Sequence, residues 1–88
     1  MTEATGDVRG EMRSYIEENF LYLHPNVELK DGDDFLTLGV VDSLGFVELV
    51  EEVQSRYALE VQDVEITEEN FGSIDAITGY VERKRTTG

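Results

Sequence analysis

Cysteine is absent from this chain, and histidine and proline each occur once. Without thiols there can be no disulfide and no thiolate zinc site, and the single His24, beside Pro25, is too little for a histidine metal cluster. Bases are scarce as well: 7 Lys and Arg stand against 20 Asp and Glu, a net charge of -13. Excess acid repels nucleic acid phosphates and anionic membrane surfaces, so nucleic acid binding is set aside; partners with basic docking patches are favoured instead. Long apolar runs are missing too, and "MTEATGDVRGEMRSYIEENF" contains no signal-peptide core. The chain is therefore expected in the cytoplasm, without membrane insertion.

Its 88 residues amount to one small domain, with too little volume for a deep substrate pocket and a second lobe to close over it. That argues against an elaborate enzyme. Apolar residues still make up 40%, enough for a compact core despite the charge. The charge is uneven: between Asp31 and Asn70 the only base is Arg56, while Arg83, Lys84 and Arg85 gather near the end. Taken alone, such a surface keeps a small protein soluble by self-repulsion.

Residues 1–6 show no apolar periodicity and read as a loose lead-in, residues 85–88 as a loose tail, and 7–84 as the folded domain. Val8, Met12, Tyr15, Ile16, Phe20 and Leu23 recur at helical spacing and predict a first helix from Asp7 to Tyr22, with Pro25 as a stop signal. The following "HPNVELKDGDDFLTLGVV" predicts a long connection, whose Val27, Leu29, Phe35, Leu38 and Val41 must fold back against the helices. From Ser43 to Tyr57 the helical pattern is strongest: Phe46, Leu49, Val50, Val53 and Tyr57 share one arc and are expected in the core. Leu44 falls on the opposite face beside Glu48 and Glu51, with Val47 at the margin. A leucine ringed by carboxylates at a helix start is a candidate docking knob. In "EITEENFGSIDAITGYVERK", Thr67 can cap a short helical turn with Ile66 and Phe71 in the positions of a hydrophobic staple. Ser73 can then cap a last helix whose Ile74, Ile77 and Val81 face inward. The fold class is all-α: a small four-helix bundle of three principal helices and one short one, with a long first loop.

Within "GVVDSLGFVELVEEV", Ser43 admits three uses. As a helix cap, Asp42 or Ser43 would accept an early backbone N–H and stabilise the helix by about 1 kcal/mol; that leaves the exposed Leu44 unexplained. As a nucleophile, Ser43 would need a base and a group to orient it, yet the only histidine lies across the long loop, and no strand precedes the serine as a nucleophile elbow requires. A calcium loop also fails on "DGDDFLTLGVVD": Asp31, Asp33 and Asp42 fit ligand positions, but Phe35 replaces an oxygen ligand, Leu36 replaces the turn glycine, and the final glutamate is missing. The third use is a tether, since the positive end of a helix favours a phosphodiester. Gly45 costs about 1 kcal/mol relative to alanine in a helix interior. It is either tolerated in the first turn or leaves room for an attached group or a partner.

Asp42-Ser43-Leu44, opening an acidic amphipathic helix after a long loop, resembles the signature of the acyl carrier and peptidyl carrier proteins, Asp-Ser-Leu or Asp-Ser-Met at the second helix of a four-helix bundle. The likeness spans helix one, the loop, "LGVVDSLGFVELVEEVQSRY" and "ITEENFGSIDAITGYVERK". It implies that Ser43 carries a 4′-phosphopantetheine arm, transferred from coenzyme A by a magnesium-dependent phosphopantetheinyl transferase, and that the arm's thiol holds an acyl group as a thioester. It implies further that Asp42, Leu44, Val47, Glu48, Glu51 and Ile66 form a partner-recognition face. That face would meet basic patches on acyl- or aminoacyl-loading ligases or acyltransferases, and on downstream synthase, condensation or transfer enzymes. On this likeness the chain is a monomeric, non-catalytic carrier and a substrate of other enzymes.

Fatty acid carriers usually read Gly-Ala-Asp-Ser-Leu-Asp here, whereas this chain has Val40, Val41 and then Gly45, which removes one recognition charge. The leading expectation is therefore a free-standing carrier of a specialised, polyketide or nonribosomal-peptide-like pathway, with a D-alanyl or fatty acid carrier as the alternative. A different class, an unmodified acidic helical adaptor for a basic protein, is distinguished by whether a transferase adds mass at Ser43.

Overall fold

Capping and apolar spacing divide the chain into helices at the places where local chemistry permits them. The computed structural model describes residues 8–87; the lead-in expected over residues 1–6 lies outside them. Five α-helices follow in order: α1 (Val8–Asn19), α2 (Phe35–Leu38), α3 (Ser43–Tyr57), α4 (Glu68–Phe71) and α5 (Ile74–Thr87), with 3-10 turns at Leu21–Leu23 and Asp63–Glu65. The described residues contain no strand, and no helix among them is long and apolar enough to cross a membrane. The three long helices are those expected from the periodicity. The short ones number two rather than one, because the long loop holds α2.

That extra turn arises from its ends rather than from a period. The Asp34 carboxylate accepts the N–H groups of Leu36 and Thr37, and Gly39 closes the other end at a φ of 76°, a left-handed cap that glycine adopts without a Cβ penalty. The turn at Gly39 sends Val40 and Val41 into the core, where their N–H groups donate to the Phe35 carbonyl at 3.0 and 3.4 Å. Leu38, expected inward, is exposed at the outer end of this turn. Leu29 and Phe35 are buried as expected, with Val27 packed at the edge.

The first helix is shorter than expected. It stops at Asn19, and the chain tightens into the turn at Leu21–Leu23, where the His24 N–H donates to the Leu21 carbonyl at 2.8 Å. Tightening changes the helical phase. Phe20 stays buried while Leu23 swings out to solvent, against the expectation that it faces the core.

Met12 and Ile16 of α1, Leu49 and Val53 of α3, and Ile74, Ile77 and Val81 of α5 meet around Phe35 and Phe71 in one core. Phe46 and Tyr57, expected in that core, are only partly buried against it. Tyr57 stays at the edge because its hydroxyl donates to Glu11 at 2.7 Å. Burial and that carboxylate raise its pKa above the ordinary tyrosine value.

Backbone and charge together clasp the long loop onto α1 and α5. The Phe35 N–H donates to the Gly72 carbonyl at 2.8 Å and the Asp75 N–H to the Asp31 carbonyl at 2.9 Å. Arg9 and Arg13 both pair with the Asp31 carboxylate, and Arg9 also reaches Asp75. The Arg13 guanidinium, helped by Arg9, holds the Asp31 carboxyl below its usual range. Thr67 and Ser73 cap α4 and α5 as expected, accepting from Asn70 N at 3.2 Å and Ala76 N at 3.0 Å. Helix α5 runs to Thr87, past residue 84 where the sequence reading ends the domain.

Candidate functional site

Asp42 sits in extended backbone just ahead of α3, and its Oδ1 accepts the Gly45 N–H at 2.8 Å. Its backbone carbonyl accepts the Phe46 N–H at 2.8 Å. Asp42 thus closes the helix end by itself, as the shorter acidic residues do at this position. Ser43, the first residue of α3, is exposed and is not part of the cap. Its hydroxyl makes no hydrogen bond among the described residues. Among the described residues no base is hydrogen-bonded to it, so nothing in the geometry supports a nucleophile acting alone. The Ser43 and Leu44 N–H groups belong to the opening turn, where a helix has no internal acceptors and its dipole is positive. Such an end suits an attached phosphodiester.

Leu44, Val47, Glu48 and Glu51 follow at three- and four-residue spacing, which lines them along one face of α3. All four are exposed, Leu44 at 69% and Val47 at 51%. This places them together with Asp42 and Ser43 at the start of one helix, as the sequence reading has it. Ile66 stands on a separate segment, ending the 3-10 turn that leads to α4. That segment adjoins α3 through Phe46 and Phe71, whose rings meet edge-on with centroids 6.4 Å apart.

The same turn exposes a residue that the sequence reading missed, Val64, at 85%. Val61 three places before it and Ile66 two places after it in "VQDVEI" sustain neither a helical nor a strand period, so the sequence gives no sign of which way it faces. The turn is held firmly by Glu65, whose carboxylate accepts from Gln62 N at 3.0 Å, the Tyr80 hydroxyl at 2.9 Å and Lys84 Nζ at 3.2 Å. The Gln62 N–H and the Tyr80 hydroxyl, more than Lys84, keep the Glu65 carboxyl below its usual range. Burial and the bond to Glu65 push the Tyr80 hydroxyl up to about 12.

Gly45 corrects both expectations made for it. It is buried, and a Cβ placed there would lie 2.8 Å from Phe20 Cε1, 3.2 Å from Val41 Cγ1 and 3.2 Å from Asp42 Oδ1. The glycine is required by an aromatic ring packed against the helix backbone. It is neither a tolerated weakness nor a space for an arm.

The carboxylates of the failed calcium loop are occupied elsewhere: Asp31 with Arg9 and Arg13, Asp33 with the Lys30 N–H at 3.0 Å, and Asp42 in its cap. Among the described residues no group of three or more His, Asp and Glu side chains could hold a metal ion. Open depressions of about 320 and 550 Å³ share Tyr57, Ala58 and Arg85. They lie at the far end of α3 from Ser43, on the order of 20 Å along the helix.

Comparison with known proteins matches residues 16–81 to the family described as "Phosphopantetheine attachment site". The chain is also similar to the "D-alanyl carrier protein" of Streptococcus suis, strain 05ZYH33, with 35% identity over 77 residues that cover 86% of this chain and 94% of the relative. The protein of the same description from strain 98HAH33 matches with the same identity and coverage. No solved structure matches.

Proposed function

Because this chain belongs to the family of carrier proteins with a phosphopantetheine attachment site, we propose that Ser43 is the residue that bears the 4′-phosphopantetheine and that the cargo is an aminoacyl group, D-alanine foremost. The carrying observation is the serine hydroxyl itself: exposed, unbonded, and left available because Asp42 has taken the cap. In the loading step the Ser43 oxygen forms a bond to the β-phosphorus of coenzyme A as the bond to the departing adenosine bisphosphate breaks. The serine proton passes to a base of the transferase, since no described residue of this chain is hydrogen-bonded to the hydroxyl. Once attached, the group supplies the terminal thiol that a cysteine-free chain lacks.

Asp42, Leu44, Val47, Glu48, Glu51 and Ile66 would receive the partner enzymes, an apolar centre within carboxylates that steer basic patches toward the serine. The reactions belong to those partners, and the chain presents the cargo. Two D-alanyl carrier relatives that align over nearly their whole length support the D-alanyl alternative above the specialised pathway expected first. Gly45 in place of an acid, packed against Phe20, also separates this chain from the usual fatty acid pattern.

The test uses the full chain with coenzyme A, magnesium and a broad-specificity phosphopantetheinyl transferase, read by intact mass. Wild type should gain one phosphopantetheine, and Ser43→Ala none. The loaded protein, given ATP and a D-alanine-activating ligase, should then gain one alanyl group that hydroxylamine removes. An unchanged wild-type mass would favour the unmodified adaptor; arm loading without alanyl transfer would return the cargo to the specialised class.

A further inference from the structure

The position two residues after the serine offers no charge to a partner; Phe20, the residue that follows α1, is packed against it. Phe20 is buried, and its ring meets Tyr15 edge-on at a centroid distance of 5.9 Å. Its Cε1 stands 2.8 Å from the place of a residue-45 Cβ, well inside the roughly 3.5 Å at which carbon atoms rest. Val41, the second wall, is fully buried. The third wall is Asp42 Oδ1, the oxygen that accepts the Gly45 N–H and fixes the first turn of α3. A side chain at 45 would therefore press on two packed apolar groups and on the cap that stands next to Ser43.

We infer that Phe20 and Gly45 are a matched pair of positioning residues: the ring and the bare backbone together set where the Ser43 hydroxyl stands when a modifying enzyme docks on α3. This rests on Ser43 being the attachment point. It gives position 45 a role in this chain opposite to that of an acid there. An aspartate would put a carboxylate against the Phe20 ring and beside the Asp42 carboxylate, where desolvation and like charge both oppose it.

Loading kinetics separate positioning from mere stability. A carrier that is partly unfolded behaves as a lower concentration of good substrate, so its apparent KM rises and its kcat is kept. A misplaced hydroxyl lowers the rate within the docked complex, which is kcat. Gly45→Ala should lower kcat of phosphopantetheine transfer about tenfold with KM changed less than about twofold. Phe20→Leu, which keeps the glycine and withdraws the ring, should lower kcat by about threefold, and the double variant should return to within about twofold of wild type as volume is restored. Amide exchange at residue 45, whose N–H donates to Asp42, should quicken in each single variant and slow again in the double, whether or not the protein is loaded. Wild-type kcat and exchange in both single variants would overturn the pairing. A wild-type protein that gains no mass would instead overturn the attachment at Ser43.

Discussion

The Gly45 N–H donates to the Asp42 carboxylate at 2.8 Å across the first turn of α3, and the serine between them takes no part in that bond. Asp42 thereby holds the cap alone, and the hydroxyl proposed for attachment is left to its neighbour. Asp42→Ala should lower unfolding stability by about 1 kcal/mol, the ordinary loss of a cap, while Ser43→Ala should change it by less than about 0.5 kcal/mol, as for an exposed residue outside any network. Urea unfolding followed by circular dichroism checks both. Equal losses would mean that the serine shares the cap.

The carboxylates along α3 act at a distance and so answer to salt. Reversing Glu48 and Glu51 to lysine should slow loading by about tenfold at low ionic strength, with the helical signal unchanged, and the wild-type advantage should shrink as salt shortens the Debye length to about 8 Å at physiological strength. Equal rates for the two proteins at low salt would remove the acidic docking face.

Acid should loosen the clasp between the loop and α1. Arg13, then Arg9, lowers the Asp31 pKa from its ordinary 3.8. A carboxylate whose folded pKa is depressed contributes stability that is fully present above the unfolded value and lost as pH falls through the folded one. Wild type should therefore exceed Asp31→Asn in stability above pH 4, with the difference closing below it. Thermal unfolding of both proteins across pH 2 to 7 reads this, and a gap that is constant with pH would assign the aspartate a role other than charge.

Helix α3 ends on Ala58, a residue other than glycine at a φ of 54° whose N–H donates to the Gln54 carbonyl. Left-handed backbone costs an L-residue roughly 1–2 kcal/mol, and the added freedom of glycine in the unfolded chain offsets part of the relief. Ala58→Gly should raise stability by about 0.5 to 1 kcal/mol. A loss of stability in urea unfolding would show that the alanine methyl packs usefully there.

Much of the bundle is legible in the amino-acid sequence alone. Leu49, Val50 and Val53 reveal α3 through its period, Thr67 and Ser73 mark the starts of α4 and α5, and the three residues from Asp42 to Leu44 carry the resemblance to the carrier family. These signals are local: a helical face and a cap involve residues within four positions of one another, so the chain alone determines them. The burial of Gly45 under Phe20, the exposure of Leu23 and Leu38, and the firm turn that presents Val64 were decided by tertiary structure. Each depends on where one segment comes to rest on another far along the chain. That is set by how the volumes of packed side chains fit, which no periodicity records.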